Sequence, residues 1–218
     1  MAGKLRGVND LPPHPLHAIV DVHVASKAGW APLDLGRSFL DGGARVLQLR
    51  AKDLASGAFL ELADALVALA DGYEAVVIVN DRVDVARLSG AGGVHVGQED
   101  LPPAAAREQL GTQAVIGFST HTVMQVEAAL REPVSYIAVG PVFGTSTKET
   151  GYTAVGLELV VAASRLARPL PIVAIGGVTL TNARSVIDAG ASSVAVISDL
   201  LTGGDPVTRV SALLQALA

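Results

Sequence analysis

The sequence predicts an α/β fold of the (β/α)8 TIM-barrel type in a single domain, on three observations. Short β-branched runs recur along the chain at a mean spacing of about 25 residues, the length of one βα unit. Stretches with helical periodicity stand between them. Polar residues gather where the runs end, which is where barrels of this kind carry their chemistry.

The strand-like runs fall at 17–25, 44–50, 75–81, 93–97, 114–119, 135–140, 171–176 and 193–198. Near-continuous apolar runs such as Val76-Val77-Ile78-Val79 and Ile172-Val173-Ala174-Ile175 suit a parallel sheet covered on its outer face. Between the strands, Phe59, Leu62, Leu66 and Leu69 share one face of a helix over 55–71. Ala183, Val186 and Ile187 do the same for a shorter helix ending at Gly190, in a segment expected to start near Thr179 to Thr181. The junctions Gly42-Gly43-Ala44, Gly90-Ala91-Gly92 and Gly190-Ala191 offer left-handed caps that turn the chain into the next strand. A doubly wound open sheet is the alternative, because periodicity does not show closure.

The chain has 218 residues, enough for one such domain. Residues 1–14 read as a flexible N-terminal extension and 15–218 as the barrel. Residues 1–15 carry Lys4, Arg6, Asp10 and three prolines without an apolar stretch, unlike a signal peptide or anchor. No apolar run is long enough to span a bilayer, so no membrane partner is expected. Half the residues are hydrophobic and few aromatic, which suits an aliphatic core. Cysteine is absent, which excludes disulfides and thiolate metal sites and fits a cytoplasmic protein. A net charge of −5 gives no reason to expect nucleic-acid binding. A homo-oligomer is left open.

Side-chain alternation puts Gln48, Arg50 and, if the strand continues, Lys52 on one face of the second strand. Cations facing a barrel interior are costly unless an anion meets them, which points to a pyrophosphate clamp. Solvated charges at an exposed strand end are the bland alternative. The third strand ends Val79-Asn80-Asp81 and the fourth leads into Gly97-Gln98-Glu99-Asp100. Asp81 and Asp100 thus reach one rim, where two carboxylates plus phosphate oxygens suit Mg2+. Either aspartate could instead cap the helix that follows it.

The fifth strand ends Phe118-Ser119-Thr120-His121, in which Ser119 can donate to a ligand and His121 is a base, a contact or a helix start. The segment from Gly144 to Ala154 is long for a βα connection and holds Thr145, Thr147 and Lys148, as an active-site loop would. The seventh strand ends Gly176-Gly177 and the eighth Ile197-Ser198. Glycines and helix N-termini at these two loops suit phosphate, although a packing role for the glycines would look the same.

In ordered segments over residues 16–200, the chain resembles thiamine-phosphate synthases. The segments are Gln48-Leu49-Arg50-Ala51-Lys52-Asp53, Val79-Asn80-Asp81-Arg82-Val83-Asp84, Gly93-Val94-His95-Val96-Gly97-Gln98-Glu99-Asp100-Leu101-Pro102 and Ser119-Thr120-His121-Thr122. They continue with Gly140-Pro141-Val142-Phe143, Thr145-Ser146-Thr147-Lys148, Ala174-Ile175-Gly176-Gly177-Val178 and Ala195-Val196-Ile197-Ser198. The resemblance implies a transferase that joins 4-amino-2-methyl-5-hydroxymethylpyrimidine pyrophosphate to a thiazole phosphate, carboxylated or not, releasing pyrophosphate. It implies that Gln48, Arg50, Lys52, Asn80 and Lys148 hold the pyrimidine pyrophosphate, with Ser119 beside the ring. Asp81 and Asp100 would bind Mg2+, and Thr145, Thr147, Gly177, Ile197 and Ser198 the thiazole phosphate. Arg50, Lys52, Lys148 and Ser119 would be the catalytic groups.

Two positions depart from the family's pattern. Ala51 stands where Glu is frequent, on the opposite parity to Arg50, and His17 where Tyr is frequent. The rival activities are a thiazole tautomerase of the same fold, a sugar-phosphate isomerase or epimerase, and a non-catalytic sensor of thiamine intermediates. The tautomerase needs no Mg2+-pyrophosphate site, so Asp100, Lys148 and Gly140-Pro141 favour the synthase.

Overall fold

In the computed structural model, which describes residues 14–144 and 153–218, parallel strands close into a barrel in chain order. The strands are β1 (Leu16–Asp21), β2 (Val46–Arg50), β3 (Val76–Asn80), β4 (Gly93–Val96), β5 (Val115–Thr120), β6 (Tyr136–Val139), β7 (Ile172–Ile175) and β8 (Ser193–Val196). β1 pairs with β2 on one side and β8 on the other, so the open-sheet alternative is excluded. Thr145, Thr147, Lys148 and most of the expected N-terminal extension lie outside the described residues.

The expectation for the first strand needs correction. β1 stops at Asp21, and residues expected to continue it form α1 (Val22–Lys27). The cause is local: Asp21 Oδ1 accepts the Val24 N–H at 3.0 Å, an N-cap that turns the chain despite its β-branched valines. The second correction is at the other end of the chain. β8 ends at Val196, so Ile197 and Ser198 lie past the strand, with Ser198 opening a 3-10 turn (Ser198–Leu201).

Alternation sorts each strand into two faces. Outward residues such as Val20, Leu47, Leu49, Val79, Val94 and Val139 pack beneath the helices. They meet Phe39 of α2 (Pro32–Asp41) and Phe59, Ala63 and Leu66 of α3 (Ser56–Asp71). The α3 face is therefore rotated slightly from the expected one, with Leu62 and Leu69 only partly buried. Ala51 belongs to this outer layer, buried and facing away from the interior. Inside the barrel, Ile19, Val46, Ile78, Val115, Tyr136, Ala138, Val173 and Ala195 form a separate apolar cluster. Above part of that plug lie buried polar residues, Gln48, Asn80, His95 and Ser119.

The remaining helices are α4 (Val83–Ser89), α5 (Pro103–Leu110), α6 (Val123–Ala129), α7 (Gly156–Leu166), α8 (Ala183–Asp188) and α9 (Pro206–Leu217). α8 begins later than expected, because Asn182 Oδ1 takes the Thr179 N–H at 2.7 Å and keeps 179–182 as a turn. Among the described residues, no helix is long and apolar enough to cross a membrane.

Candidate functional site

A cavity of about 310 Å³ opens at the C-terminal ends of the strands. Gln48, Arg50, Asn80, Ser119, Gly177, Ile197 and Ser198 line it, so seven of the predicted site residues converge there from β2, β3, β5 and the loops after β7 and β8. Lys52, Asp81 and Asp100 do not line it. They form a separate group on the rim.

Arg50 ends β2 directly across from Asp21, the last residue of β1. Its guanidinium donates to Asp21 Oδ2. The Asp21 side chain is 2% exposed and that of Arg50 14%. The anion required by a cation inside the barrel is therefore present in the protein, at a residue whose sequence context suggested only more strand. Arg50 Nε is buried without a hydrogen-bond partner, an unsatisfied donor at the cavity wall.

Lys52 lies beyond the end of β2, so the continued-strand expectation fails and its side chain is half exposed. Its Nζ meets Asp81 Oδ2 at 3.0 Å. Neither aspartate caps a helix. The α4 N-cap is Arg82, without a side-chain cap, and the α5 N-cap is Pro102. Asp81 takes a left-handed backbone (φ 65), a conformation that Asp tolerates better than most residues. Asp100 Oδ2 accepts the Gly97 N–H at 2.8 Å. Burial, and then the neighbouring Asp81, raise the Asp100 carboxyl above the usual carboxylate range, against a lowering by the Gly97 N–H and Lys52. Two carboxylates crowd each other here, an arrangement that a cation relieves.

Under the cavity runs a buried hydrogen-bond chain that sequence reasoning missed. Tyr136 Oη lies 2.9 Å from His95 Nδ1, and His95 Nε2 lies 2.8 Å from Ser119 Oγ. Gln48 adjoins the Tyr136 hydroxyl. The His95 and Tyr136 rings are stacked with centroids 5.6 Å apart. Strand parity was the available signal: His95 lies opposite Gly117 and Gly117 opposite Tyr136, in the barrel's interior register. A Cβ at Gly117 would overlap the Tyr136 ring and press on His95 Nδ1, so this residue makes the room for the chain.

His17 lies deeper, 1% exposed, with its ring edge-on to Tyr136 at 5.4 Å. It does not line the cavity, and its Nε2 has no partner. Burial first, then His95 and His14, lower its pKa to about 3, so it is neutral. His121 lines the cavity, with Nδ1 against the Gly140 carbonyl, and the N-cap of α6 is Thr122.

The loops after β7 and β8 form the opposite wall. Gly177 is left-handed (φ 64), and a Cβ there would come 2.6 Å from the Gly144 carbonyl oxygen. This glycine therefore both packs closely against that loop and lines the cavity. Asp199 also lines the cavity, held by Arg209 at 2.7 Å. Among the described residues no three His, Cys, Asp or Glu cluster as a metal site.

The family model described as thiamine monophosphate synthase matches residues 17–200. A thiamine-phosphate synthase of Koribacter versatilis is 42% identical over 204 residues, 93% of this chain and 95% of that protein. One from Laribacter hongkongensis is 46% identical over 170 residues, 77% of this chain and 80% of that protein. Among solved structures, a thiamine phosphate pyrophosphorylase from Pyrococcus furiosus superposes with a TM-score of 0.85 at 30% identity, covering 94% of this chain and 96% of that one.

Proposed function

The chain belongs to the thiamine monophosphate synthase family, and on that premise we propose how its barrel rim divides the labour of the reaction. The enzyme is a transferase that makes thiamine phosphate from a pyrimidine pyrophosphate and a thiazole phosphate. The observation that carries the division is that the rim has two chemically different walls. One is cationic and acidic together, with Arg50, Lys52, Asp81 and Asp100. The other is built from the backbone-rich loops after β7 and β8.

The pyrimidine pyrophosphate occupies the first wall. Arg50, whose Nε is an unsatisfied buried donor, and Asn80 take phosphate oxygens, joined by Lys52 and by Lys148. Gln48 and Ser119 hold the pyrimidine ring over the Tyr136–His95 chain, which orients the Ser119 hydroxyl. The thiazole phosphate lies on the second wall, with Gly177, Ile197 and Ser198, and with Thr145 and Thr147.

Asp81 and Asp100 would hold Mg2+. Their hard oxygens, their crowding and, among the described residues, the lack of a third acidic ligand fit an ion that takes its other ligands from phosphate and water. When bound, that ion supplies neutralisation of charge on the departing pyrophosphate. Lys52 would then be released from Asp81 to the same oxygens.

The electron pair of the scissile C–O bond leaves with pyrophosphate, and the aminopyrimidine stabilises the methylene cation left behind. The thiazole nitrogen then donates its lone pair to that carbon, forming the C–N bond. No protein base is needed, so His121 has no proton to take. Arg50, Lys52 and Lys148 stabilise developing negative charge, and Ser119 and Gln48 keep the ring in line. Cytoplasmic placement belongs to this proposal and rests on the substrates, phosphate esters that do not cross membranes unaided.

The test supplies both substrates with Mg2+ and follows pyrophosphate and thiamine phosphate together. Equal amounts of both are expected. Folded enzyme that yields neither would overturn the proposal.

A further inference from the structure

The second wall contains a carboxylate where the proposed substrate is an anion. Asp199 lines the cavity, and its Oδ2 accepts the Leu180 N–H at 3.0 Å, tying the loop after β7 to the loop after β8. From behind, Arg209 of α9 grips both carboxylate oxygens, with Nη2 at 2.7 Å from Oδ1 and Nε at 3.2 Å from Oδ2. Nε also donates to the Asp199 carbonyl at 3.1 Å. Exposure is only 10% for the Asp199 side chain and 21% for Arg209, so water screens the pair weakly. An uncompensated carboxylate here would repel a phosphate in the same cavity.

We propose that Asp199 and Arg209 are positioning residues for the thiazole phosphate: the carboxylate latches the two phosphate loops together, and the guanidinium cancels the charge that this latch would otherwise turn on the substrate. The inference rests on the assignment of the thiazole phosphate to this wall. Its consequence is asymmetric. An amide at 199 keeps an acceptor for Leu180 and has no charge to cancel, so Arg209 matters only while Asp199 is anionic.

The experiment compares the wild type with Asp199→Asn, Arg209→Met and the double variant. It measures KM for each substrate and, by calorimetry, the binding of inorganic phosphate and of thiazole phosphate without turnover. Arg209→Met should weaken thiazole phosphate binding by about tenfold or more, the scale of one poorly screened like charge. The KM for the pyrimidine pyrophosphate should stay within about twofold, since that wall lies across the cavity. Asp199→Asn should bind thiazole phosphate at least as well as wild type, and adding it to Arg209→Met should restore most of the loss.

A merely structural pair gives the opposite pattern, with the double variant as weak as Arg209→Met or weaker, and that result overturns the proposal. An Arg209→Met variant with unchanged affinity overturns it equally. If Arg209→Met does not fold, Asp199→Asn with Arg209→Lys serves, and its weakening of phosphate binding would count against the idea. Calorimetry also separates two failures: a wild type that binds thiazole phosphate but forms no product refutes the activity and leaves the pair to be judged on binding.

Discussion

Asp21 and Arg50 face each other in register at the ends of β1 and β2 and form an ion pair buried at the barrel mouth. The same aspartate caps α1 through Val24, so one side chain both ends a strand and anchors the cation that lines the cavity.

Removing that carboxylate should therefore cost stability as well as function. Asp21→Ala leaves a mostly buried guanidinium without its anion and removes a helix cap, and should destabilise the fold by about 3 kcal/mol or more. Asp21→Asn keeps the cap acceptor and should lose less. Urea unfolding of both variants at neutral pH checks the order, and equal midpoints for the two would contradict it.

The space at Gly117 is needed by the Tyr136–His95–Ser119 chain. Gly117→Ala should force the Tyr136 ring aside and cost about 1–3 kcal/mol by overpacking. Displacement of Ser119 should lower kcat by about tenfold or more in the protein that still folds. Stopped assays on folded material, checked by near-UV circular dichroism, would read both effects. A variant with wild-type kcat would show that the chain does not position the ring.

His17 gives the stability curve an acid limb. Its pKa is lowered from 6.5 to about 3 in the fold, so between those values the unfolded chain binds the proton and the folded one does not. Stability contributed by the neutral ring is complete above pH 6.5 and is lost as pH falls toward 3, by up to about tenfold in the folding constant per pH unit. His17→Phe, which also removes the unpartnered Nε2, should flatten this limb. Urea unfolding at about pH 7 and about pH 4.5 compares the two proteins, and parallel losses in both would show that His17 does not titrate in this way.

For the acidic pair, Asp100→Asn should raise the Mg2+ concentration for half-maximal rate by about tenfold or more, with the fold intact. Asp100 is not a cap, so little stability should be lost. An unchanged Mg2+ dependence would remove Asp100 from the metal site.

Much of the site was legible because strand parity and strand ends are local properties. Gln48, Arg50, Asn80 and Ser119 follow from alternation within short runs, and their convergence in one cavity is what a parallel barrel does to strand ends. The first strand was misjudged because β propensity and a single capping aspartate compete, and the cap wins within two residues. The caps considered for Asp81 and Asp100 failed for the converse reason. Asp81 turns to Lys52, about one βα unit away in sequence, and to Asp100, which itself turns back to the nearby Gly97 N–H.

The α/β class, the order of the elements and the family can be read from the residues alone, because periodicity, glycine junctions and ordered motifs survive without coordinates, whereas closure of the sheet cannot. Which charges are paired depends on the folded barrel. Arg50 with Asp21, Lys52 with Asp81, Arg209 with Asp199 and His95 between Tyr136 and Ser119 each join residues that no local rule connects. A buried polar group must be satisfied by whatever the closed barrel brings beside it, and closure sets those neighbours across strands rather than along the chain.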